Sequence, residues 1–286
     1  VIFVFNQLDH EKANFEQTIE HAKASFGKKI VLVQYPVNPG NGCNRVVDVL
    51  KMELYEWGPE GGKPEVLPIP DEEKEKAEEL HNILVEAAAE NDEKLMELYF
   101  EKGSLTEDEM RAGIRAGLIK RDMFPVFCVS AEKDMCVRLF MEFLVNVAPS
   151  AAAMPGTKTV DGELVPYNAE GPTSVFVFAT SIEPHLGEIN YFKVMSGSLK
   201  EGDDLTNMTN STKERFSQLF AAAGKNRTKV TELKAGDIGA TVKLKGTKNG
   251  DTLNEKDCEY RFPGFKYPEP RFRTAVKAVN KNDDEK

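Results

Sequence analysis

The chain has 286 residues, 41% hydrophobic and 29% charged, which is typical of a globular protein with room for about two domains. No apolar run approaches the ~20 residues that a membrane-spanning helix needs, so we expect no membrane partner. The net charge is −10 and the acidic excess lies in residues 1–150, which argues against free DNA or RNA as the partner of that part.

Sequence patterning in the first 150 residues predicts an α/β domain, because apolar strand-like runs alternate with helical periodicity. The pattern Thr106-x-x-Glu109 also predicts a capping box at the start of a helix. The predicted strands are residues 1–5, 30–37, 46–57 (a pair), 64–70 (an edge strand) and 124–129. The predicted helices are residues 11–26, a long acidic stretch 71–101, 106–118, and a last helix that ends before Pro149.

The second part of the chain has a different character. Residues 150–170 are small and polar with Gly and Pro, which indicates a linker and loop. Between about residues 173 and 253, short β-rich runs alternate with glycine-containing turns, which predicts a small antiparallel β-barrel. A further strand is predicted over residues 271–279.

Cysteines and basic residues offer weaker signals. The cysteines form no Cys-x-x-Cys, and no histidine lies at ligand spacing, so we expect reduced thiols in a cytoplasmic protein and no metal site. Lys243 and Lys245 alternate along a predicted strand and should share one face. Eight basic residues of the β-rich part either contact phosphates or are ordinary solvated side chains. They are Lys213, Arg215, Lys225, Arg227, Lys229, Lys243, Lys245 and Lys248.

The opening strand runs directly into Asn6-x-x-Asp9. A fixed carboxylate such as Asp9 accepts two adjacent N–H donors in the paired geometry that makes charge-assisted hydrogen bonds strong. Guanine presents such a pair, N1–H and its exocyclic amine, whereas adenine would leave Asp9 unpaired at a cost of roughly 1–3 kcal/mol. Taken alone, the spacing of these four residues favours plain turn chemistry over guanine recognition.

A set of short motifs, in order along essentially the whole chain, resembles elongation factor G of the translational GTPases. Asn6-x-x-Asp9 and Ser130-Ala131-Glu132-Lys133 are similar to that family's two guanine-recognition motifs, with a helical, acidic insertion between them. The later matches are Gly187-Glu188-Ile189, Lys193-Val194-Met195-Ser196-Gly197, Lys213-Glu214-Arg215, Ala235-Gly236-Asp237-Ile238-Gly239-Ala240, Gly250-Asp251-Thr252-Leu253 and Tyr267-Pro268-Glu269-Pro270.

The resemblance implies a partial P-loop-type G domain with an α+β insertion, followed by an antiparallel β-barrel. We therefore expect a fragment that starts in the middle of a nucleotide-binding domain. The implied boundaries are 1–150 for the end of the G domain, with its insertion at about 30–120, 151–170 for a linker, 171–262 for the second domain and 263–286 for the start of the third.

The resemblance also implies a role for each matched residue. Asn6 and Asp9 would read the guanine of GTP or GDP, and the Ala131 N–H would reach the base carbonyl oxygen. Ser130 would brace the loop and Lys133 would lie against the base. The barrel would contact small-subunit ribosomal RNA, and the acidic insertion would contact the ribosomal stalk protein, in a monomeric translocation factor.

Two features limit what these residues are expected to do alone. The sequence contains no Gly-x-x-x-x-Gly-Lys-[Ser/Thr], so neither the phosphates nor Mg²⁺ have their usual binding loop here. No histidine matches the family's catalytic position, the candidates being His10, His21, His81 and His185. We therefore assign no catalytic residue and expect this chain by itself neither to bind GTP tightly nor to hydrolyse it.

Gln7 stands where the family has a lysine whose stem covers the base. Either the substitution is tolerated in a GTP-hydrolysing translocation factor, or it marks a ribosome-binding paralogue with a weakened nucleotide site. A related translational GTPase, such as a ribosomal-protection protein or a peptide-release factor, is a third interpretation that fits the insertion less well.

Overall fold

The computed structural model describes residues 1–183, 187–224 and 226–275. The chain divides into two compact units, Val1–Met154 and Pro155–Lys286. Within the described residues, no helix is both long and apolar enough to cross a membrane. His185, Lys225 and the end of the strand predicted at residues 271–279 fall outside the described residues.

The first unit contains seven strands and five α-helices. The strands are β1 (Phe3–Phe5), β2 (Ile30–Leu32), β3 (Gln34–Pro36), β4 (Arg45–Asp48), β5 (Glu53–Glu56), β6 (Glu65–Leu67) and β7 (Phe124–Cys128). The helices are α1 (Phe15–Phe26), α2 (Asp71–Ala89), α3 (Glu93–Lys102), α4 (Glu107–Lys120) and α5 (Val137–Asn146).

Two small sheets share one hydrophobic core in this unit. The first is parallel, with β7 in the centre between β1 and β2. The second is antiparallel in the order β3-β4-β5-β6, which confirms the predicted strand pair and the predicted edge strand. The predicted strand at residues 30–37 is split at Val33, whose N–H bonds Val126 while its carbonyl accepts from Val49. The chain therefore passes from the first sheet to the second at Val33.

Side-chain caps fix where the helices begin. Asn14 accepts from the Gln17 N–H, so α1 starts later than predicted. The predicted capping box at α4 is confirmed by reciprocal bonds between Thr106 and Glu109. The long acidic stretch is two helices rather than one, because the Asp92 side chain accepts from the backbone N–H groups that open α3.

In the described part of the second unit, the regular secondary-structure elements are β-strands. Its strands are β8 (Thr157–Lys158), β9 (Leu164–Val165), β10 (Ser174–Glu183), β11 (Gly187–Ser196), β12 (Ser198–Lys200), β13 (Asp204–Asn207), β14 (Lys213–Arg215), β15 (Leu219–Ala223), β16 (Asn226–Val230), β17 (Glu232–Lys234), β18 (Ile238–Val242) and β19 (Thr252–Asn254). Eight of them form one antiparallel sheet in the order β14-β13-β19-β10-β11-β18-β15-β16.

The prediction of an α/β part followed by an antiparallel β part is confirmed. The large sheet is barrel-like, and its pairing order runs from β14 to β16 without a closing pair among the described strands. Leu199 of β12 and Leu233 of β17 pack into the same core as Phe192 and Phe216. The short β12-β17 sheet therefore helps to cover that core.

Residues 155–170 differ from the linker and loop that their composition suggests. They form the β8-β9 hairpin, and Val165 packs with Met195 and Phe262 in a small apolar cluster. The Lys193 ammonium donates to the Tyr167 hydroxyl at 2.9 Å. These contacts fasten the segment to β11, because its few apolar side chains find partners there.

Two strand predictions are wrong. β18 ends at Val242, and Lys243 has a φ of +66°, so Lys243 and Lys245 do not alternate along one strand face. Residues 271–275 form no strand either. At the first of these places, the left-handed backbone of Lys243 ends the strand despite the β-rich composition.

A buried carboxylate explains the bend after β18. Glu214 is 1% exposed and accepts from the backbone N–H groups of Lys245 and Gly246, each at 2.8 Å, and from the Thr247 hydroxyl at 3.1 Å. A buried carboxylate is tolerated when its oxygens are hydrogen-bonded in this way. Glu214 thus holds the loop after β18 in place.

Replacing Glu214 by Gln is expected to lower the free energy of unfolding by about 1–3 kcal/mol, since the new NH₂ would face an N–H donor. Urea denaturation followed by circular dichroism measures the change. Glu232→Gln, at an exposed position of β17, makes the same chemical change as a control. Equal stability of the two variants would contradict this role for Glu214.

Candidate functional site

Parallel pairing brings the two predicted recognition loops together. Phe5 of β1 lies opposite Cys128 of β7, and the ladder continues with the Val129 N–H donating to the Phe5 carbonyl at 2.8 Å. The carboxyl ends of parallel neighbours lie at the same edge of a sheet. The loop that contains Asn6 and the loop that starts at Ser130 therefore leave the sheet side by side.

A direct hydrogen bond ties the loops to each other. The Ala131 N–H donates to the Asn6 side-chain oxygen at 3.0 Å, across 125 residues of sequence. The Asn6 side chain thus connects the two loops in the folded chain. A guanine carbonyl at Ala131 would have to share this N–H with Asn6.

Asp9 lies between two partners from the other loop. Its carboxylate is 3.7 Å from the Lys133 ammonium, with side chains 14% and 37% exposed, and it also accepts from the buried Ser130 hydroxyl. The Ser130 oxygen in turn accepts from the Lys133 N–H at 3.4 Å. The buried Ser130 side chain therefore contacts both Asp9 and Lys133.

The pKa of Asp9 lies below its ordinary value of 3.8. The hydrogen bond from Ser130 is the largest cause, partial burial opposes it, and the positive charge of Lys133 adds a smaller lowering. Asp9 is consequently an anion at neutral pH, which is the state that accepts two N–H donors.

The second loop is a tight turn between β7 and α5. Ser130 and Met135 exchange backbone hydrogen bonds of 3.2 and 2.9 Å. Asp134 and Cys136 both have positive φ, and Cys136 caps α5 in the left-handed region. Residues 131–134 are thereby confined to a short bulge at the sheet edge.

Gln7 also has a left-handed backbone, with a φ of +66°, and its side chain is exposed. Its carbonyl accepts from the His10 N–H at 3.1 Å, which closes a turn that contains Asp9. Asn6 and Gln7 border an open cleft of about 490 Å³ that continues over Ala13 and Phe15. The side chain of Gln7 therefore faces free space beside the site.

One contributor to the site was not predicted from the sequence. The Gly40 N–H, in the turn between β3 and β4, donates to the Leu8 carbonyl at 2.7 Å, next to Asp9. Residues 38–42 are rich in turn formers, but a turn signal does not say which neighbour the turn contacts.

The described residues hold no cluster suited to a metal ion, and some of the basic residues considered for phosphate contacts are paired with carboxylates. Among the residues that the structure describes, no three His, Cys, Asp or Glu side chains are grouped to hold a metal ion, and the four cysteines are free and buried. Three of the basic residues have acidic partners: Arg215 with Asp204, Arg227 with Glu183, and Lys229 with Glu201. Arg215 and Lys229 are paired at the surface, whereas Arg227 is largely buried and also donates to the Tyr191 hydroxyl.

Comparisons with known proteins agree with this architecture. Residues 172–256 match the family model described as elongation factor G domain 2, so the resemblance to elongation factor G is confirmed for that part of the chain. A crystal structure of a protein from Thermus thermophilus is similar with a TM-score of 0.77 and 23% sequence identity. The match covers 94% of this chain and 38% of that one, and at this identity it shows a shared fold.

Ser130→Ala is expected to raise the pKa of Asp9 toward 3.8, because the largest lowering influence is lost. A lowered pKa in the folded state means that ionised Asp9 stabilises the fold at neutral pH, and this contribution disappears as the pH falls through the folded value. The decrease in the free energy of unfolding on acidification should therefore be smaller in the variant than in the wild type. A carboxyl-carbon NMR titration measures the pKa, and an unchanged value would contradict the brace.

Proposed function

We propose that this chain is part of an elongation factor G-like translation factor that recognises guanine nucleotides and acts on the ribosome. The observation that carries the proposal is the pair of loops at the shared edge of β1 and β7, with Asn6 bonded to Ala131 and Asp9 beside Lys133. The match of residues 172–256 to elongation factor G domain 2 supports it independently.

The side chains of Asp9 and Lys133 have the charge and position that guanine recognition would require. Asp9 is anionic and held by Ser130, so it would accept from N1–H and the exocyclic amine. Lys133 is partly exposed beside Asp9 and would lie against the base. Adenine offers no such donor pair, and the desolvated carboxylate would then lack a partner.

The domain boundaries form part of the proposal. Residues 1–150 would be the end of a G domain with its insertion at about 30–120, and residues 171–262 the second domain. Residues 263–286 would begin the third. Because the chain spans 38% of the Thermus protein that it matches, the activity of the whole factor belongs to the proposal as well.

Ribosome contacts would use both units. Lys243, Lys245 and Lys248 lie on the loop that Glu214 anchors, where their charges would meet ribosomal RNA phosphates. The opening turn of α2 is acidic, with Asp71, Glu72 and Glu73, and would face the stalk protein.

GTP hydrolysis would require residues beyond those found here. The sequence lacks the phosphate-binding motif, so β- and γ-phosphates and Mg²⁺ would be held elsewhere in the factor. Hydrolysis of GTP would supply free energy to the whole factor. The residues of this chain would bind and orient the guanine.

A second candidate function is a ribosome-binding paralogue whose nucleotide site is weakened. The observation that favours it is Gln7, an exposed, uncharged side chain beside the cleft where the family places a lysine. The two candidates differ in whether a lysine at this position strengthens nucleotide binding.

Asp9→Asn is expected to change the base preference from guanine to xanthine. Xanthine has a carbonyl in place of guanine's exocyclic amine, and an Asn amide would donate to that carbonyl. We expect wild type to favour GMP over XMP by roughly 10- to 100-fold and the variant to reverse the order. Amide chemical shifts of Ala131 and Lys133 measure binding at millimolar ligand. Asp108→Asn, on the exposed face of α4, is the control, and a retained GMP preference in Asp9→Asn would contradict the assignment.

Gln7→Lys is expected to strengthen GMP binding by about two- to fivefold, the amount that a cation over an aromatic ring contributes. The same NMR titration measures it, with Gln17→Lys on the exposed side of α1 as a control for net charge. An affinity unchanged by Gln7→Lys would show that the substitution is tolerated and would count against the weakened-site candidate.

A further inference from the structure

The loop between β5 and β6 has a defined shape although it is rich in glycine. The indole N–H of Trp57 donates to the Gly62 carbonyl at 3.0 Å, and the Gly61 N–H donates to the Gly58 carbonyl at 3.0 Å. Trp57 is 2% exposed, so the loop is anchored in the core at one end. Gly61 and Gly62 both have left-handed φ values, +72° and +85°.

Gly61 lies directly against the backbone of Lys133. A Cβ added at Gly61 would be 1.8 Å from the Lys133 carbonyl oxygen and 2.9 Å from its carbonyl carbon. No side chain fits in that space, because real Cβ contacts do not come closer than about 3 Å. At Gly62 the same addition meets nothing within 4 Å.

This contact fixes the residue that faces Asp9. The Lys133 N–H is bonded to the Ser130 hydroxyl, and its carbonyl is covered by Gly61. The peptide groups on both sides of the Lys133 Cα are therefore constrained. The direction in which the Lys133 side chain leaves the loop follows from those two constraints.

The same antiparallel sheet also holds the first loop. Gly40, in the turn between β3 and β4, donates to Leu8, the residue before Asp9. Two turns of one sheet thus contact the two loops of the candidate site, one at Leu8 and one at Lys133. Moving the β3-β6 sheet would change the spacing of Asp9 and Lys133.

We propose that Gly61 is a positioning residue for guanine recognition, acting through the backbone of Lys133, and that the β3-β6 sheet and the base site are thereby coupled. The proposal rests on the proposed function for its ligand, but its structural part does not. Trp57, the sole tryptophan of the sequence, shares the loop and should change its emission when guanine binds.

A pair of variants separates the contact from backbone strain. Gly61→Ala introduces a Cβ into the Lys133 carbonyl, whereas Gly62→Ala imposes a similar left-handed strain without a collision. Without ligand, hydrogen exchange at residues 131–135 should be faster in Gly61→Ala and unchanged in Gly62→Ala. Equal exchange in both variants would overturn the positioning role, whatever the ligand.

Affinity for GMP then tests the coupling. We expect Gly61→Ala to weaken GMP binding about tenfold, as misplacing a contact group does, and Gly62→Ala to leave it within about twofold. In a Lys133→Ala background the effect of Gly61→Ala should vanish, as in a double-mutant cycle. If wild type binds GMP and Gly61→Ala binds it equally well, the inference fails. If wild type shifts equally with GMP and AMP, the proposed guanine recognition fails while the exchange result stands.

Discussion

The parallel pairing of β1 with β7 is the constraint on which the candidate site depends. These strands are separated by more than a hundred residues of sequence, and their register places Phe5 opposite Cys128. Shifting the register by one residue would turn every side chain of β1 to the opposite face. The bond between Asn6 and Ala131 and the approach of Asp9 to Lys133 exist only because this register is kept.

Local signals in the sequence predicted most of the secondary-structure elements. Asn6, Asp9 and Ser130 were singled out because their motifs resemble the guanine-recognition motifs of translational GTPases. The contact of Gly61 with Lys133 was not, since a glycine-rich turn looks the same whether it faces solvent or a carbonyl. Long-range contacts of this kind depend on how the two sheets pack, which no short window of residues contains.

The errors have physical causes as well. Lys243 and Lys245 were placed on a strand by their β-branched and apolar neighbours, but the buried carboxylate of Glu214 draws their backbone into a loop. The acidic stretch after Asp71 has helical spacing throughout, although Asp92 has the side chain of a helix cap. In each case one polar side chain outweighed the propensity of its neighbours.

The edge strand β6 has a consequence for how the chain behaves at high concentration. An open sheet edge is a template on which another chain can add a strand. Here the three residues of β6 lie between Pro64 and Pro68, which carry no N–H, and the strand opens with the charged Glu65. Val66 is 55% exposed, so the strand offers an apolar side chain but too few donors for a second ladder. The two prolines therefore disfavour the addition of a strand from another molecule to this edge.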